Sequence, residues 1–377
     1  MKKIMGSLLV GILTLSLSFT SVSALNYDTS KIDNAYNKVV EYYENSKKVN
    51  SFDEIIAVES LGLEVENGYQ LPDNFGNIDL ENTTVGTLTK TIVSEILIGN
   101  DPKNINGINL VETLENMIEF DVNGNVIFNH NSVTSAGELV YIVYALYSVD
   151  SEKLNDVVNA LISTANEDGS FGYGPGTTSL DITGWVLEAL ALTQKDKMKT
   201  LEFLNSKIDN SDGAFSYEGS WGEEGKNSNT QACILAGLFA SDKDQVINGY
   251  ENCTVHPIDF LINLQKNDGS FYYTDGNDGW NPSSTTLDAA RAIGTYKKGS
   301  VYEKVRNNYR EILNNNNFEQ VPDNTNNTNN TQTTPSTNQS VQSVKTGDES
   351  QVGLFMTVSM VSGALYLVLR KENERVH

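Results

Sequence analysis

Few residues of this chain have the types and spacing for chemistry. Asp181 stands in Ser179-Leu180-Asp181-Ile182-Thr183, at the head of an apolar stretch. A carboxylate there could protonate a substrate as a general acid. It could also serve the start of a helix by capping it or balancing its dipole. Cys233 and Cys253 are the two cysteines. In an exported chain they could pair as a disulfide. Cys233, inside Ala232-Cys233-Ile234-Leu235, is equally ordinary as a buried thiol. His130 and His256 have no recognisable ligand spacing, so no zinc site with three protein ligands is expected and the expected metal is none. Asp121-Val122-Asn123-Gly124-Asn125 and Asp275-Gly276-Asn277-Asp278-Gly279 are oxygen-rich enough for calcium. Ser132 stands where an EF-hand loop would close with Glu, and both segments read as plain turns.

A second set of residues is suited to binding. Tyr173, Tyr217, Trp221, Tyr273 and Trp280 fall in or just after Asp-Gly loops, and Trp185, Asn229, Gln231 and Asp288 lie on the helices that follow. Amphipathic rings offer a ligand a flat apolar surface and a polar edge. The same rings could instead simply plug the mouth of the fold.

The elements that must hold these residues are repeated. Asp168-Gly169-Ser170-Phe171, Asp212-Gly213-Ala214-Phe215 and Asp268-Gly269-Ser270-Phe271 recur, with a fainter copy at Asn123-Gly124-Asn125-Val126. The glycines are about 45–55 residues apart, the period of a two-helix unit that must stack to bury its apolar face. Apolar spacing predicts about twelve helices, near 29–47, 52–63, 84–98, 107–119, 133–148, 152–166, 179–193, 196–207, 228–240, 257–266, 284–295 and 301–313. The helix after each Asp-Gly loop is apolar nearly all round, as in 182–192, whereas the one before it is amphipathic. The first kind belongs inside and the second outside. The expected fold is therefore an all-α (α/α)6 toroid, with inner helices parallel and their N-termini gathered on one face.

The ends of the chain bear on where it works. Lys2 and Lys3 precede an apolar run and Ser21-Val22-Ser23-Ala24, so residues 1–24 read as a signal peptide. The toroid occupies 25–314, and an Asn/Thr-rich segment at 315–344 reads as a disordered spacer. Thr346-Gly347, the apolar run 353–369 and Arg370-Lys371 resemble a sortase cell-wall sorting signal over 343–377. Ser343-Val344 replaces the usual Leu-Pro. The resemblance implies cleavage after Thr346, with sortase and peptidoglycan as partners. A single-pass anchor is the alternative. A net charge of −23 argues against nucleic acid and anionic membranes, and weakly favours cationic or neutral ligands.

Gln265-Lys266-Asn267-Asp268-Gly269-Ser270-Phe271 resembles the repeat of squalene and terpene cyclases, and similar loops recur in protein prenyltransferase β subunits. The stretch from Gly99 to Leu110 resembles the cobalamin-carrier family and its bacterial surface relatives. These resemblances imply the toroid and, from the carriers, cobalamin as a ligand, although their second small domain is missing. Cyclases need an Asp-x-Asp-Asp cluster, of which only Asp181 survives, and the Asp, Cys and His zinc ligands of prenyltransferases are not found. The reading is a surface-anchored, non-catalytic toroid that binds a ligand or partner. The alternative is an extracellular enzyme with Asp181 as general acid, which a second carboxylate nearby would favour.

Overall fold

The computed structural model describes residues 27–319, except Asn74, Ser220, Trp221, Glu251 and Trp280. Residues 1–24, the sorting segment with Thr346 and Gly347, and the side chains of Trp221 and Trp280 lie outside that description. Twelve helices are present among the described residues. They are α1 (Ser30–Ser46), α2 (Phe52–Ser60), α3 (Val85–Leu97), α4 (Leu110–Met117), α5 (Ala136–Ser148) and α6 (Leu154–Ser163). The second half holds α7 (Leu180–Leu192), α8 (Met198–Asn205), α9 (Ser228–Asn248), α10 (Pro257–Asn263), α11 (Pro282–Lys298) and α12 (Val301–Glu319). Their starts follow from capping: Ser51, Thr84, Asn109, Ser179 and Asn227 each accept a first-turn amide through the side chain.

Helix α2 packs on α3, α3 on α5, α5 on α7, α7 on α9, α9 on α11 and α11 on α2. That closed circuit makes the all-α toroid. Five amphipathic helices lie outside it: α4 on α3, α6 on α5, α8 on α7, α10 on α9 and α1 on α11. The expected sixth outer helix is replaced. Helices α2 and α3 are consecutive inner helices joined by residues 61–84, and α12 takes a different place. It packs on α5, α3, α11 and α2. Its partners are near the C-terminal ends of inner helices: Tyr302 stacks on Tyr144 at 3.8 Å and Lys304 bonds Glu59 at 2.6 Å. Helix α12 thus closes the end of the ring opposite the Asp-Gly loops. It also runs to Glu319, past the boundary expected at 314.

The Asp-Gly loops are the hinges of the stack. Asp168 and Asp268 accept the amide and hydroxyl of the serine two residues on, and Asp212 accepts the Ala214 amide. The next glycine takes positive φ, and a Cβ there would collide with the neighbouring unit. At Gly169 it would meet Lys199, at Gly213 Val255, and at Gly269 Lys38 of α1, where the ring closes. The phenylalanines that follow are 0–2% exposed. Their amides bond one side chain early in each inner helix: Thr183, Gln231 and Thr286.

Five short strands among the described residues were not anticipated. β1 (Ile118–Phe120), β2 (Val126–Phe128) and β3 (Asn131–Ser132) form an antiparallel meander after α4. β4 (Ser216–Gly219) and β5 (Gly222–Gly225) form a hairpin leading into α9. In the first meander Asp121 accepts the amides of Asn123 and Asn125, the turn expected there. No helix among the described residues is long and apolar enough to cross a membrane.

Candidate functional site

Helices α7 and α11 carry the central side chains at three- and four-residue spacing, which sorts them into layers. Asp181, Trp185 and Glu188 descend α7, and Asp288 and Arg291 descend α11. The lowest layer is closed. Glu188, 0% exposed, pairs with Arg291, accepts the Ser300 hydroxyl at 2.6 Å and receives the Tyr144 hydroxyl at 3.3 Å. The Arg291 guanidinium also lies over the Tyr144 and Tyr302 rings. Burial this complete is tolerable because the charges are paired and bonded, although the Arg291 Nε is buried without a partner.

Above that floor the walls become aromatic. Tyr141 and Trp185 are 5.7 Å apart, and the Trp185 indole N–H is buried without an acceptor. Lys90 of α3 stands 4.5 Å from the centre of the Tyr141 ring and reaches Asp53 of α2 at 2.8 Å.

The mouth holds the carboxylates. Asn229 of α9 is fastened to the neighbouring α11: its Nδ2 donates to Asp288 at 2.7 Å and its Oδ1 accepts from Thr285 at 3.0 Å. A cavity of about 190 Å³ is lined there by Asp181, Asn229, Thr230, Tyr273, Ser284 and Thr285. Asp181 Oδ1 is sheltered from solvent and accepts no hydrogen bond. Loss of hydration raises Asp181 to about 6, with Glu224 adding repulsion and the Thr230 hydroxyl opposing it. Burial, then repulsion from Asp181, raises Asp288 to about 7, against the pull of Arg291 and Asn229. Asp181 is therefore not alone: a second carboxylate shares its field.

The capping role weighed for Asp181 belongs to other groups. Ser179 accepts the Ile182 amide, and Glu224 of the β4–β5 hairpin accepts the Leu180 amide at 3.1 Å and the Ser179 hydroxyl at 2.8 Å. Asp181 is left to the lumen.

Among the sequence candidates, Asp181, Trp185, Asn229, Tyr273 and Asp288 converge on the lumen and its mouth. Tyr173, 70% exposed, stands at the rim, where Asp181 and Glu224 raise its hydroxyl further than burial alone. Gln231 does not face a ligand. Its amide is consumed by the Phe215 amide and by the Gly213 and Pro257 carbonyls, because it occupies the repeat position of Thr183. Tyr217 turns outward onto Phe203, with Lys207 over its ring. The suggested disulfide is absent: both thiols are free. Cys233 is buried on inner helix α9, whereas Cys253, beyond that helix, donates to Asn210 Oδ1 at 3.2 Å.

Sequence reasoning passed over Tyr141, Lys90, Glu224, Glu188 and Arg291. For the last two a signal existed: an isolated charge within a helix apolar on all sides.

Neither the family models nor the curated proteins compared contain a match to the chain. Among solved structures, the chain is similar to Candida albicans protein geranylgeranyltransferase-I complexed with GGPP, at 12% identity and a TM-score of 0.45. The match covers 75% of this chain and 98% of that one.

Proposed function

We propose that this toroid is a binding module that takes a small organic cation into the mouth of its ring. The observation that carries the reading is the Asp181 and Asp288 pair, which forms no ion pair with a lysine or arginine among the described residues. Arg291, one turn below Asp288, is committed to Glu188. Trp185, Tyr141, Tyr173 and Tyr273 supply aromatic faces on which a desolvated ammonium gains attraction from the ring quadrupole. Cobalamin, favoured by the sequence resemblance, would rest on the rim of Tyr173 and Tyr273. The mouth cavity of about 190 Å³ is smaller than the roughly 300–1,000 Å³ that encloses a drug-sized ligand.

The test is a thermal-shift and calorimetry screen of the purified protein at pH 8 with aliphatic, aromatic and quaternary amines, corrinoids, oligosaccharides and isoprenoids. Ligand-linked stabilisation by amines, weakened in Asp288→Asn, supports the reading. Stabilisation by neutral ligands alone defeats it.

A second reading is supported by the raised pKa values. Two carboxyls near 6 and 7 place a proton on the pair close to neutral pH, as a general acid requires. Turnover of any screened glycan or isoprenoid, abolished by Asp181→Asn, would establish it.

The sequence further supports export and wall attachment, with residues 1–24 removed and Thr346 joined to peptidoglycan by a sortase. Mass spectrometry of muramidase-released protein should then find a C-terminal peptide ending at Thr346. An intact Arg370-Lys371 tail would instead mean a retained anchor.

A further inference from the structure

The segment 100–106 takes no part in lining the mouth cavity. It builds one wall of a second cavity, about 480 Å³, lined also by Phe75, Gly76 and Glu95 near the C-terminal end of α3. Glu95 is 1% exposed. Its Oε2 accepts the Asn100 Nδ2 at 2.7 Å, but its Oε1 is buried with no partner. That orphan oxygen lies against Gly76, where φ is +76° and an added Cβ would come within 3.3 Å of it.

The other groups around it present oxygen. Asn100 spends its amide N–H on Glu95, and Asn106 spends its own on the Gly76 carbonyl at 3.0 Å. Both side-chain carbonyls are thereby left as acceptors, beside Asn104 and Asp101. Asp101 shapes the wall by accepting the Lys103 amide at 2.9 Å.

The local field is negative. Glu66 sits where a Cβ on Gly99 would be 3.1 Å from its carboxylate, and the last carbonyls of α3 add the negative end of a helix dipole. Neither Glu95 nor Glu66 forms an ion pair among the described residues. Lys103 is drawn away over the Tyr309 ring, 5.7 Å from its centre.

We propose that this cavity is a calcium site, with Glu95 as its anionic ligand and asparagine side-chain oxygens and water completing the shell. A neutral polyol could fill the space but would leave the buried charge uncompensated, which is the costly part. Among the described residues no group of three His, Cys, Asp or Glu side chains is placed to hold a metal ion, so most of the shell must be neutral oxygen, which suits a hard cation and not a soft one. Calcium accepts many oxygens, neutral ones included, and with so few carboxylates the dissociation constant belongs in the roughly 10⁻⁴–10⁻³ M range of extracellular modules.

The experiment is a thermal melt of chelator-treated full-length protein with CaCl2, MgCl2 or NaCl at matched ionic strength. The expected result is a midpoint rise of about 3 °C at 10 mM calcium, with terbium luminescence that calcium quenches by competition. Glu95→Gln should abolish both responses. If that variant fails to fold, Asn104→Ala should weaken the calcium response at least threefold. Equal shifts with magnesium or sodium overturn the proposal. So does a folded Glu95→Gln, or an Asn104→Ala, that responds like the wild type. Amine binding at the mouth is measured separately, so failure here leaves that reading standing.

Discussion

Arg291 of α11 and Glu188 of α7 form an ion pair across the ring, although α9 lies between their helices. The pair ties alternate inner helices together and, through Ser300, fastens the start of α12 to them. Removing one partner strands the other in a buried setting. Glu188→Ala should cost about 3–5 kcal/mol, whereas a double variant carrying Glu188→Leu and Arg291→Met should recover most of that loss. Chemical denaturation of the single and double variants measures the difference, and equal losses in both would show that the charges are not coupled.

Stability should depend on pH through the carboxylates at the mouth. Asp181 and Asp288 have folded pKa values raised to about 6 and 7, above the value of about 4 in an unfolded chain. The folded state therefore holds protons more tightly, and stability falls as pH rises from about 4 to about 7. Asp288→Asn removes part of that cost. Its midpoint should exceed the wild type by about 2–4 °C at pH 8 and match it at pH 4. A constant difference across that range would contradict the assignment.

Helices α7 and α9 approach each other through glycine. A Cβ on Gly184 would lie 2.6 Å from the Cys233 carbonyl oxygen, and one on Gly237 would lie 2.3 Å from that of Gly184. Gly184→Ala should gain helix propensity yet lose about 1–3 kcal/mol to overpacking. Urea denaturation would expose the error if the variant were more stable.

Gln231 should matter to folding and not to ligand. Gln231→Ala leaves the Phe215 amide and the Gly213 and Pro257 carbonyls without their partner. A loss of about 2–3 kcal/mol follows from burying such groups unpaired. Amine affinity of the folded fraction, read by calorimetry, should stay within about twofold of the wild type, while Asp288→Asn lowers it about tenfold, near 1.4 kcal/mol.

The repeat made the scaffold legible. Asp-Gly-Ser-Phe loops, the apolar circumference of 182–192 and the amphipathic helices between them lead to the toroid, because each is a local pattern with one way to be buried. Strict alternation of inner and outer helices was the natural extrapolation. It failed at α2, α3 and α12, where the connecting segments carry no repeat. The β4–β5 hairpin carries no strand signal in the sequence because its strands are short and rich in glycine and glutamate.

For the site, the chain order located Asp181 and Asp288 on inner helices but could not say that they share a field. Their separation along the chain is bridged only when α9 packs on both α7 and α11. Gln231 and Asn229 show the same limit from the other side. They are two residues apart on one helix, so they point to different faces: one pins a loop, the other reaches the lumen. What the sequence determined alone was helix, turn and repeat, since those depend on neighbours in the chain. Which carboxylates lose their water and which find a partner was decided by the closing of the ring, because desolvation and Coulomb interaction depend on distance through space.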